Sequence, residues 1–365
     1  TALHWRYVGP VGNRVSSVAG VPGDPNTYYA GAASGGIWKT TDGGVHWAPI
    51  FDTQAVHSVG ALAVARTAPN IVWAGTGEPW IRSHISVGDG IYKSTDAGAT
   101  WTNVGLPNSG RIGRIVIHPS NPDIVFVAAQ GYSYGPQKDR GLYRTTDGGK
   151  TWQQVLFVDE NTGAIDVQMD PTNPNKLLAA MWSLEIRTYS RKSGGPGGGI
   201  FMSTDGGTTW KKLQGNGLPK YDVGKIGLSI SYSNPSRIYA LIETADGVPQ
   251  KDEPVDNGEL WRSDDGGTNW QVVSYNRDLA CRQAYYTRVT ASTDNPDEAY
   301  FSCASFSRTL DGGDHLGDGG WLSRSDVVDR SRRALLDHRG DRPRRSEEHT
   351  SELQSHHDLV CRLLL

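Results

Sequence analysis

A nine-residue pattern recurs five times along this chain, each time ending in tryptophan. The copies are KTTDGGVHW (39–47), KSTDAGATW (93–101), RTTDGGKTW (144–152), MSTDGGTTW (202–210) and RSDDGGTNW (262–270). Their aspartates, at positions 42, 96, 147, 205 and 265, are 54, 51, 58 and 60 residues apart. A motif that returns about every 50 residues is typical of propellers and solenoids. The chain is therefore predicted to be a series of similar structural units.

Each unit carries the signals of four short strands. An apolar run such as RIVIH (114–118) precedes a proline-bearing turn, and an alternating strand such as IVFVAA (124–129) follows it. A third strand, such as GLYRT (141–145), enters the aspartate turn, and a fourth begins at the tryptophan. Four antiparallel strands joined by tight turns form a propeller blade. We predict an all-β propeller of four-stranded blades, seven-bladed when complete, with about six blades started in this chain.

The repeated turn is predicted to be structural. Glycine permits backbone conformations with positive φ, and aspartate can close a turn by accepting from main-chain amides two residues on. The tryptophan supplies a large apolar surface for packing one blade on the next. A geometry needed in every blade repeats, whereas a catalytic residue is needed once. The residues given this structural role are Asp42, Asp96, Asp147, Asp205 and Asp265, with Trp47, Trp101, Trp152, Trp210 and Trp270.

The turn resembles the Asp-box, or BNR repeat, written Ser/Thr-x-Asp-x-Gly-x-Thr-Trp. The boxes fall at 40–47, 94–101, 145–152, 203–210 and 263–270, and the resemblance extends over residues 1 to about 315. The phrases GTGEPWIRSHISVGDGIYKSTDAG and GRIGRIVIHPSNPD are similar to bacterial BNR-repeat proteins labelled glycosyl hydrolase or sortilin-N-terminal-domain-like. Those relatives resemble the tandem-propeller glycosidases and the sortilin ectodomain, and they are usually much longer than this chain.

The pattern breaks at a sixth box, 309–316. Leu316 stands where the tryptophan is expected, and strand alternation ends there. We divide the chain into an incomplete propeller (1–315), an out-of-frame segment (316–344) and a translated sequencing adapter (345–365), because RSEEHTSELQS (345–355) looks like an adapter. A genuine basic, disordered tail is the alternative. Resequencing the gene across codon 315 decides between them.

The beginning of the chain resembles a fourth strand. In LHWRYVGP (3–10), His4 and Trp5 align with His46 and Trp47. This segment is predicted to close the ring by joining the last blade. One predicted partner is therefore the missing C-terminal blades of the parent protein, without which exposed sheet edges would lower solubility.

Functional residues are expected on the loops between the second and third strands. These loops are long and variable, whereas the aspartate turns on the opposite face are short. They run over 33–36, 77–90, 130–141, 182–199 and 243–258. Aromatic rings beside ionic groups suit sugars and extended peptides. The candidate ligand-binding residues are Trp80, Arg82, His84, Tyr132, Tyr134, Arg187 and Tyr189.

Two functions compete on these loops. A glycoside hydrolase needs two carboxylates across a groove, and the candidates are Glu78, Glu185 and Glu243. The xyloglucan-cleaving enzymes that the chain resembles carry an aspartate where Ala33 stands here. We therefore favour a binding scaffold for a polypeptide or carbohydrate ligand, as the sortilin resemblance implies. An assembly factor for a membrane complex is a third reading.

Composition limits the remaining classes. The formal net charge of −3 gives no electrostatic case for nucleic acid, and no apolar stretch is long enough for a membrane span. Cys281, Cys303 and Cys361 form neither a metal-ligand spacing nor a disulfide framework. We expect no metal, no cofactor and an extracytoplasmic location, with no signal peptide present in this chain.

Overall fold

Six antiparallel sheets follow one another along the chain. The computed structural model describes residues 14–82, 85–244, 259–303 and 306–318. Within each sheet the strands lie in chain order, so every blade is an up-and-down meander. The fold is an all-β propeller, and the six blades confirm the predicted architecture; a seventh blade stays a prediction.

Five of the sheets have four strands and the fourth blade has five. Blade 1 has β1 (Val15–Val21), β2 (Asp24–Ala32), β3 (Ile37–Thr40) and β4 (Ala48–Pro49). Blade 2 has β5 (Val59–Val64), β6 (Val72–Thr76), β7 (Ile91–Ser94) and β8 (Thr102–Asn103). Blade 3 has β9 (Ile112–Ile117), β10 (Val125–Ala129), β11 (Gly141–Thr145) and β12 (Gln153–Leu156).

Blade 4 has β13 (Thr162–Met169), β14 (Leu177–Arg187), β15 (Ser190–Ser193), β16 (Gly199–Ser203) and β17 (Lys211–Lys212). Blade 5 has β18 (Ile226–Ile230), β19 (Ile238–Ile242), β20 (Leu260–Ser263) and β21 (Gln271–Ser274). A 3-10 turn (Arg277–Leu279) and the short helix α1 (Gln283–Tyr286) lead to blade 6, which has β22 (Val289–Ala291), β23 (Ala299–Ser302), β24 (Phe306–Thr309) and β25 (Leu316–Asp318).

Strand register places the two short turns of each blade at the same end. In blade 3, Val125 at the start of β10 pairs with Ile117 at the end of β9 and with Thr145 at the end of β11. The Asp-box turn therefore lies beside the proline-bearing turn. Gly148 N donates to the Asp123 carbonyl, joining the two turns at 3.0 Å. The connection between the second and third strands must lie at the opposite end of the sheet.

This link between turns recurs in all six described blades. The corresponding donor–acceptor pairs are Gly43–Asn26, Ala97–Asn70, Gly148–Asp123, Gly206–Asn175, Gly266–Ser236 and Gly312–Asp297. The Asp-box thus fixes the position of the first hairpin of its own blade, as a structural role requires.

The aspartate closes its turn over a longer span than expected. The Asp147 carboxylate accepts from the Thr151 amide at 2.9 Å, four residues on, instead of an amide two residues on. The Thr145 hydroxyl donates to the same carboxylate and accepts from the Gly149 amide. Gly148 and Gly149 have φ of 74° and 94°, and this left-handed region is why glycine occupies the turn. The threonine and the aspartate together satisfy the turn's amides.

The broken sixth box keeps this geometry. Asp311 accepts from the Thr309 hydroxyl and from the His315 amide. Leu316, in the tryptophan position, packs against the core between blades 5 and 6, and β25 pairs with β24. The frame-shift hypothesis for 316–344 and the adapter hypothesis for 345–365 stay predictions, because residues 319–365 lie outside the described residues. The predicted closing strand, 3–10, lies outside them as well.

The core lies between the faces of successive blades. Tyr29 and Ile37 of blade 1 pack with Leu62 and Val72 of blade 2, and similar clusters follow at each later blade pair. Four of the five box tryptophans, Trp101, Trp152, Trp210 and Trp270, join these clusters. Trp101 lies edge-on to Phe51 of blade 1 at 5.3 Å between ring centroids. Trp152 likewise meets Trp73 of blade 2 at 6.1 Å. Each of these two tryptophans thus packs on the preceding blade.

One expectation about cysteine was wrong. Cys281 and Cys303 form a disulfide, with 6.2 Å between their Cα atoms. The two residues are 22 positions apart, and no spacing rule identifies such a pair. The fold brings them together because the connection before blade 6 passes beside the end of β23.

Candidate functional site

The long loop of blade 2 crosses toward the opposite side of the ring. Ile81 N donates to the Ala284 carbonyl in α1 at 3.3 Å. Ile81 and Ile85 are buried in the same apolar cluster as Trp182 of blade 4. Trp80 Nε1 donates to the carbonyl of Ser16 on β1 at 3.1 Å. The loop therefore links blades 1, 4 and the start of blade 6 near the axis.

Trp80 lies over two cations. Lys225 Nζ is 4.1 Å from its ring centroid, and the Arg288 guanidinium carbon is 5.1 Å away. Lys225 is buried, and burial lowers the pKa of its ammonium well below the usual value. Its Nζ donates to the Tyr285 carbonyl at 2.9 Å. The indole face and the main-chain oxygen replace water around the ammonium.

A small axial pocket lies beneath Trp80. Arg114, Asp166, Lys225, Thr287 and Arg288 supply its polar lining. Arg114 Nε lies 3.1 Å from Asp166 Oδ1, and Asp166 Oδ2 accepts from the Leu228 amide at 3.0 Å. One acidic group thus faces three basic side chains, which gives the pocket a positive character.

Sequence reasoning missed this pocket. A basic residue stands just before the first strand in four of the six blades, and those residues are Arg14, Arg111, Lys225 and Arg288. Because first strands line the axis of a propeller, this recurrence was the available signal. Asp166 had no such signal, since its place follows from a register shift between Ala164 and Asp166.

The three candidate glutamates each have their own partners. Within the described part of the chain, no hydrogen bond or ion pair joins any two of them. Glu78 is fully buried and pairs with Arg82 at 3.0 Å and with Arg14 at 3.5 Å. Glu185 is partly exposed and pairs with its neighbour Arg187.

Glu243 is also buried. Its Oε2 accepts from the Lys225 amide at 2.7 Å and from the Ser193 hydroxyl at 2.6 Å. Burial raises the pKa of the Glu243 carboxyl, outweighing the hydrogen bonds that act in the other direction. Such a carboxyl can hold a proton, and its described hydrogen bonds are to Ser193 and Lys225.

The long loops of blades 3 and 4 form one continuous surface. Ile186 N donates to the Ser133 carbonyl at 2.8 Å, which places the two loops side by side. The buried Arg140 guanidinium joins them again by donating to the carbonyls of Asn161, Leu184 and Tyr132. These main-chain bonds make the surface rigid. We call it the platform and define it as residues 130–141 and 182–193.

Two candidate tyrosines are its most exposed large side chains. Tyr134 is 58% exposed and Tyr189 is 79% exposed. Tyr189 lies in the turn of a two-stranded projection in which β15 pairs only with β14. Arg187 lies beside Tyr189, with Nη1 3.4 Å from the tyrosine hydroxyl. Exposed aromatic faces on a rigid base can bind the apolar face of a sugar ring or of a peptide.

The remaining candidates divide between the two regions. Tyr132 is half-buried in the platform, and its carbonyl accepts from Arg140. Trp80 and Arg82 belong to the long loop of blade 2 (77–90), which we call the axial loop. His84 lies outside the described residues. The sequence therefore named residues of two regions, the axial loop and the platform, and their roles in binding stay predictions.

Comparison with known families identifies relatives of two kinds. A family model described as Sortilin-Vps10 (Sortilin, neurotensin receptor 3) matches residues 89–255. A xyloglucanase of Hypocrea jecorina is 25% identical over 309 residues, covering 75% of this chain and 34% of that protein. A xyloglucanase of Paenibacillus is 26% identical over 306 residues, covering 74% of this chain and 27% of that protein. The vacuolar protein sorting/targeting protein 10 of Sordaria macrospora is 30% identical over 114 residues, or 31% of this chain and 7% of that protein.

Solved structures share the fold. The Niastella koreensis GH74 enzyme superposes with a TM-score of 0.61 at 21% identity, covering 81% of this chain and 45% of that one. The structure described as YCF48 bound to D1 peptide gives a TM-score of 0.53 at 15% identity and covers 87% of both chains. This chain spans only 34% and 27% of the length of the two xyloglucanases above. The chain is a β-propeller with Asp-box turns that is similar in sequence to xyloglucanases and to a Vps10 sorting/targeting protein, and similar in fold to a GH74 enzyme.

Proposed function

We propose that this chain is a glycan-binding propeller of a GH74-type glycoside hydrolase, and that the platform binds the glucan chain. The observation that carries the proposal is the pair of exposed tyrosines, Tyr134 and Tyr189, on loops held rigid by Arg140. The similarity to xyloglucanases over about three quarters of the chain supports a polysaccharide ligand. The sequence patterns favour a general binding scaffold, whereas the relatives favour the glycosidase alternative.

We assign binding, and not bond cleavage, to the described part of the chain. Glu78 and Glu243 are buried and already bonded, so neither can reach a glycosidic oxygen without rearrangement. Ala33, at the position where the resembling enzymes carry aspartate, is buried and has no acidic group. A carboxylate pair for hydrolysis would therefore have to consist of groups other than Glu78 and Glu243.

Affinity measurements on variants test the proposal. Tyr134→Ala and Tyr189→Ala are each expected to weaken binding of a xyloglucan oligosaccharide about three- to tenfold, since each removes one stacking surface. Tyr232→Ala is the matched control, because Tyr232 is 57% exposed and follows the first strand of blade 5 on the Asp-box side. Unchanged affinity in both platform variants, measured by calorimetry, would contradict the proposal.

A polypeptide ligand is the second candidate function. It is favoured by the Sortilin-Vps10 match over 89–255 and by the fold shared with YCF48 bound to D1 peptide. The same variants discriminate between the two candidate functions. If peptides from a library bind the wild type and bind Tyr134→Ala more weakly, while oligosaccharides do not bind, the polypeptide ligand is favoured.

Co-purification with membrane proteins tests the third reading, an assembly factor. In the part of the chain that the structure describes, no helix has the length and apolarity to cross a bilayer.

We also propose an extracytoplasmic location. The Cys281–Cys303 disulfide supports it, because disulfides persist mainly in oxidising compartments. Thiol alkylation followed by mass spectrometry of the protein isolated from its native source tests this proposal. Recovery of Cys281 in the alkylated, reduced form would contradict it.

A further inference from the structure

The projection of β14 and β15 is positively charged. Arg187, Arg191 and Lys192 are exposed on it, and Glu185 is the acidic residue among them. Glu185 faces Lys192 across the two strands and is already paired with Arg187. Glu243 is a further carboxyl near Arg191, and burial raises its pKa, so the three cations remain in excess over ionised carboxylates. Tyr189 therefore lies in a basic environment.

Two buried guanidiniums lie beneath the platform. Arg140 donates only to main-chain carbonyls in its described hydrogen bonds, including the Gly135 carbonyl at 3.0 Å. Arg111 Nη1 donates to the Gly131 carbonyl, whereas its Nε and Nη2 have no hydrogen-bond partner among the described residues. Carbonyl oxygens satisfy donors without neutralising charge. In a medium of low dielectric constant, such charges act over longer distances than in water.

Arg111 lies directly under an exposed tyrosine. Its guanidinium carbon is 6.0 Å from the centroid of the Tyr134 ring. The carboxylates that face the two guanidiniums are Glu78 and Asp159. Glu78 pairs with both Arg82 and Arg14. Its single negative charge is therefore shared among several cations and does not neutralise Arg111. Arg111 therefore places a cation close beneath the exposed Tyr134 ring.

The platform differs in charge from the whole chain. The platform together with Arg111 has six basic residues and two acidic ones, whereas the chain has a formal net charge of −3. Asp159 and Glu160 lie next to the platform and leave the basic residues in excess. Charge complementarity of this kind selects among ligands of similar shape.

We propose that the platform selects a glycan that carries carboxylates, such as a chain with uronic acid residues, over a neutral glycan of the same backbone. This inference rests on the proposed glycan-binding function and names its substrate class. The tyrosines supply stacking for either glycan, and the exposed and buried cations supply the preference for the acidic one.

A matched pair of ligands tests the inference. A β-1,4-glucan oligosaccharide and the same oligosaccharide oxidised at C6 to glucuronate are compared by calorimetry at about 20 mM and about 500 mM salt. At low salt the oxidised ligand is expected to bind about tenfold more tightly, and at high salt the difference should shrink to about twofold. The combined variant Arg191→Gln, Lys192→Gln should lose most of that difference.

Control variants and outcomes separate this inference from the proposed function. Lys150→Gln with Lys211→Gln removes two exposed charges near Asp-box turns and should change neither affinity. Equal affinity for the two ligands, or tighter binding of the neutral one, overturns the charge preference and leaves glycan binding intact. Binding of neither ligand overturns the proposed function, and the inference with it.

Discussion

Lys93 Nζ donates to the carbonyl of Gly148 at 2.9 Å, so a cation on the third strand of blade 2 holds the Asp-box turn of blade 3. The same side chain lies over the Trp73 ring at 4.9 Å. Equivalent bonds join Lys39 to Ala97, Arg144 to Gly206 and Arg262 to Gly312. Blade 4 has Met202 at this position, and there Lys176 Nζ lies against Gly266 instead. The Asp-box therefore connects neighbouring blades as well as the two turns of its own blade.

Removing one of these cations should weaken the propeller. Lys93→Met keeps the apolar stem but removes the hydrogen bond to Gly148, and we expect it to lower the free energy of unfolding by about 1 kcal/mol. Urea denaturation measures the change. Lys150→Met, which alters an exposed lysine in the Asp-box turn itself, is the control and should have little effect. Equal stability of Lys93→Met and the wild type would show that the bond is dispensable.

Acid should destabilise the fold through the box aspartates. Hydrogen bonds lower the pKa of Asp96, Asp265 and Asp311 to about 2, led by the Thr100 hydroxyl for Asp96 and by the Asn269 and His315 amides for the others. An unfolded aspartate titrates near about 3.9. The stabilisation is therefore fully present above about pH 4 and is lost as the pH falls toward about 2.

Thermal unfolding between pH 6 and pH 2 measures this loss. The melting temperature should fall most steeply below about pH 4. Asp96→Asn should melt lower than the wild type at pH 6 and approach it at low pH, because the wild-type carboxylate is then protonated too. A melting temperature that does not change between pH 5 and pH 2.5 would contradict this expectation.

The box tryptophans should matter for contacts between blades. Trp152 meets Trp73 edge-on, and its Nε1 donates to the Val104 carbonyl of blade 2 at 2.8 Å. Trp152→Ala is expected to cost about 3 kcal/mol of unfolding free energy, through lost apolar contact and the lost bond. Trp152→Phe retains a ring and should cost less. If the two variants were equally destabilised in urea, ring packing would not be the cause.

The disulfide should stabilise the connection before blade 6. Closing a loop of this length contributes about 3 kcal/mol, so the double variant Cys281→Ala, Cys303→Ala should unfold at lower urea concentration. Cys361→Ala is the control and should unfold like the wild type. A reducing agent should reproduce the effect of the double variant. If a reducing agent did not change the urea concentration at which the wild type unfolds, although mass spectrometry had verified the disulfide, this account would be contradicted.

The strands and turns were predictable because their signals are local and repeated. The aspartate, its glycines and its tryptophan lie within nine residues, and this pattern recurs five times along the chain. The connections between blades were harder to foresee. Lys93 reaches a turn 55 residues away. The role of the basic residue that precedes five of the six boxes becomes clear only when the turn of the neighbouring blade lies beside it. Sequence patterns show how far apart residues are along the chain, but they do not show which residues of neighbouring blades lie in contact.

The site was predictable only in part, for a similar reason. Loop length and aromatic content identified Tyr134 and Tyr189, which are exposed. The burial of Glu78 and Glu243 could not be foreseen, because it involves Arg14 and Lys225, which lie in other segments. Asp166 gained its position from an irregular register, which has no sequence signal of its own.

The most direct test of the central claim, that ligands bind on the long loops while the Asp-box turns are structural, is hydrogen–deuterium exchange. Exchange is measured with and without a saturating glucan oligosaccharide, in neutral and oxidised forms. The account predicts slower exchange in 130–141 and 182–193 and unchanged exchange in the six Asp-box turns. Slower exchange confined to the Asp-box turns, with the platform unaffected, would contradict it.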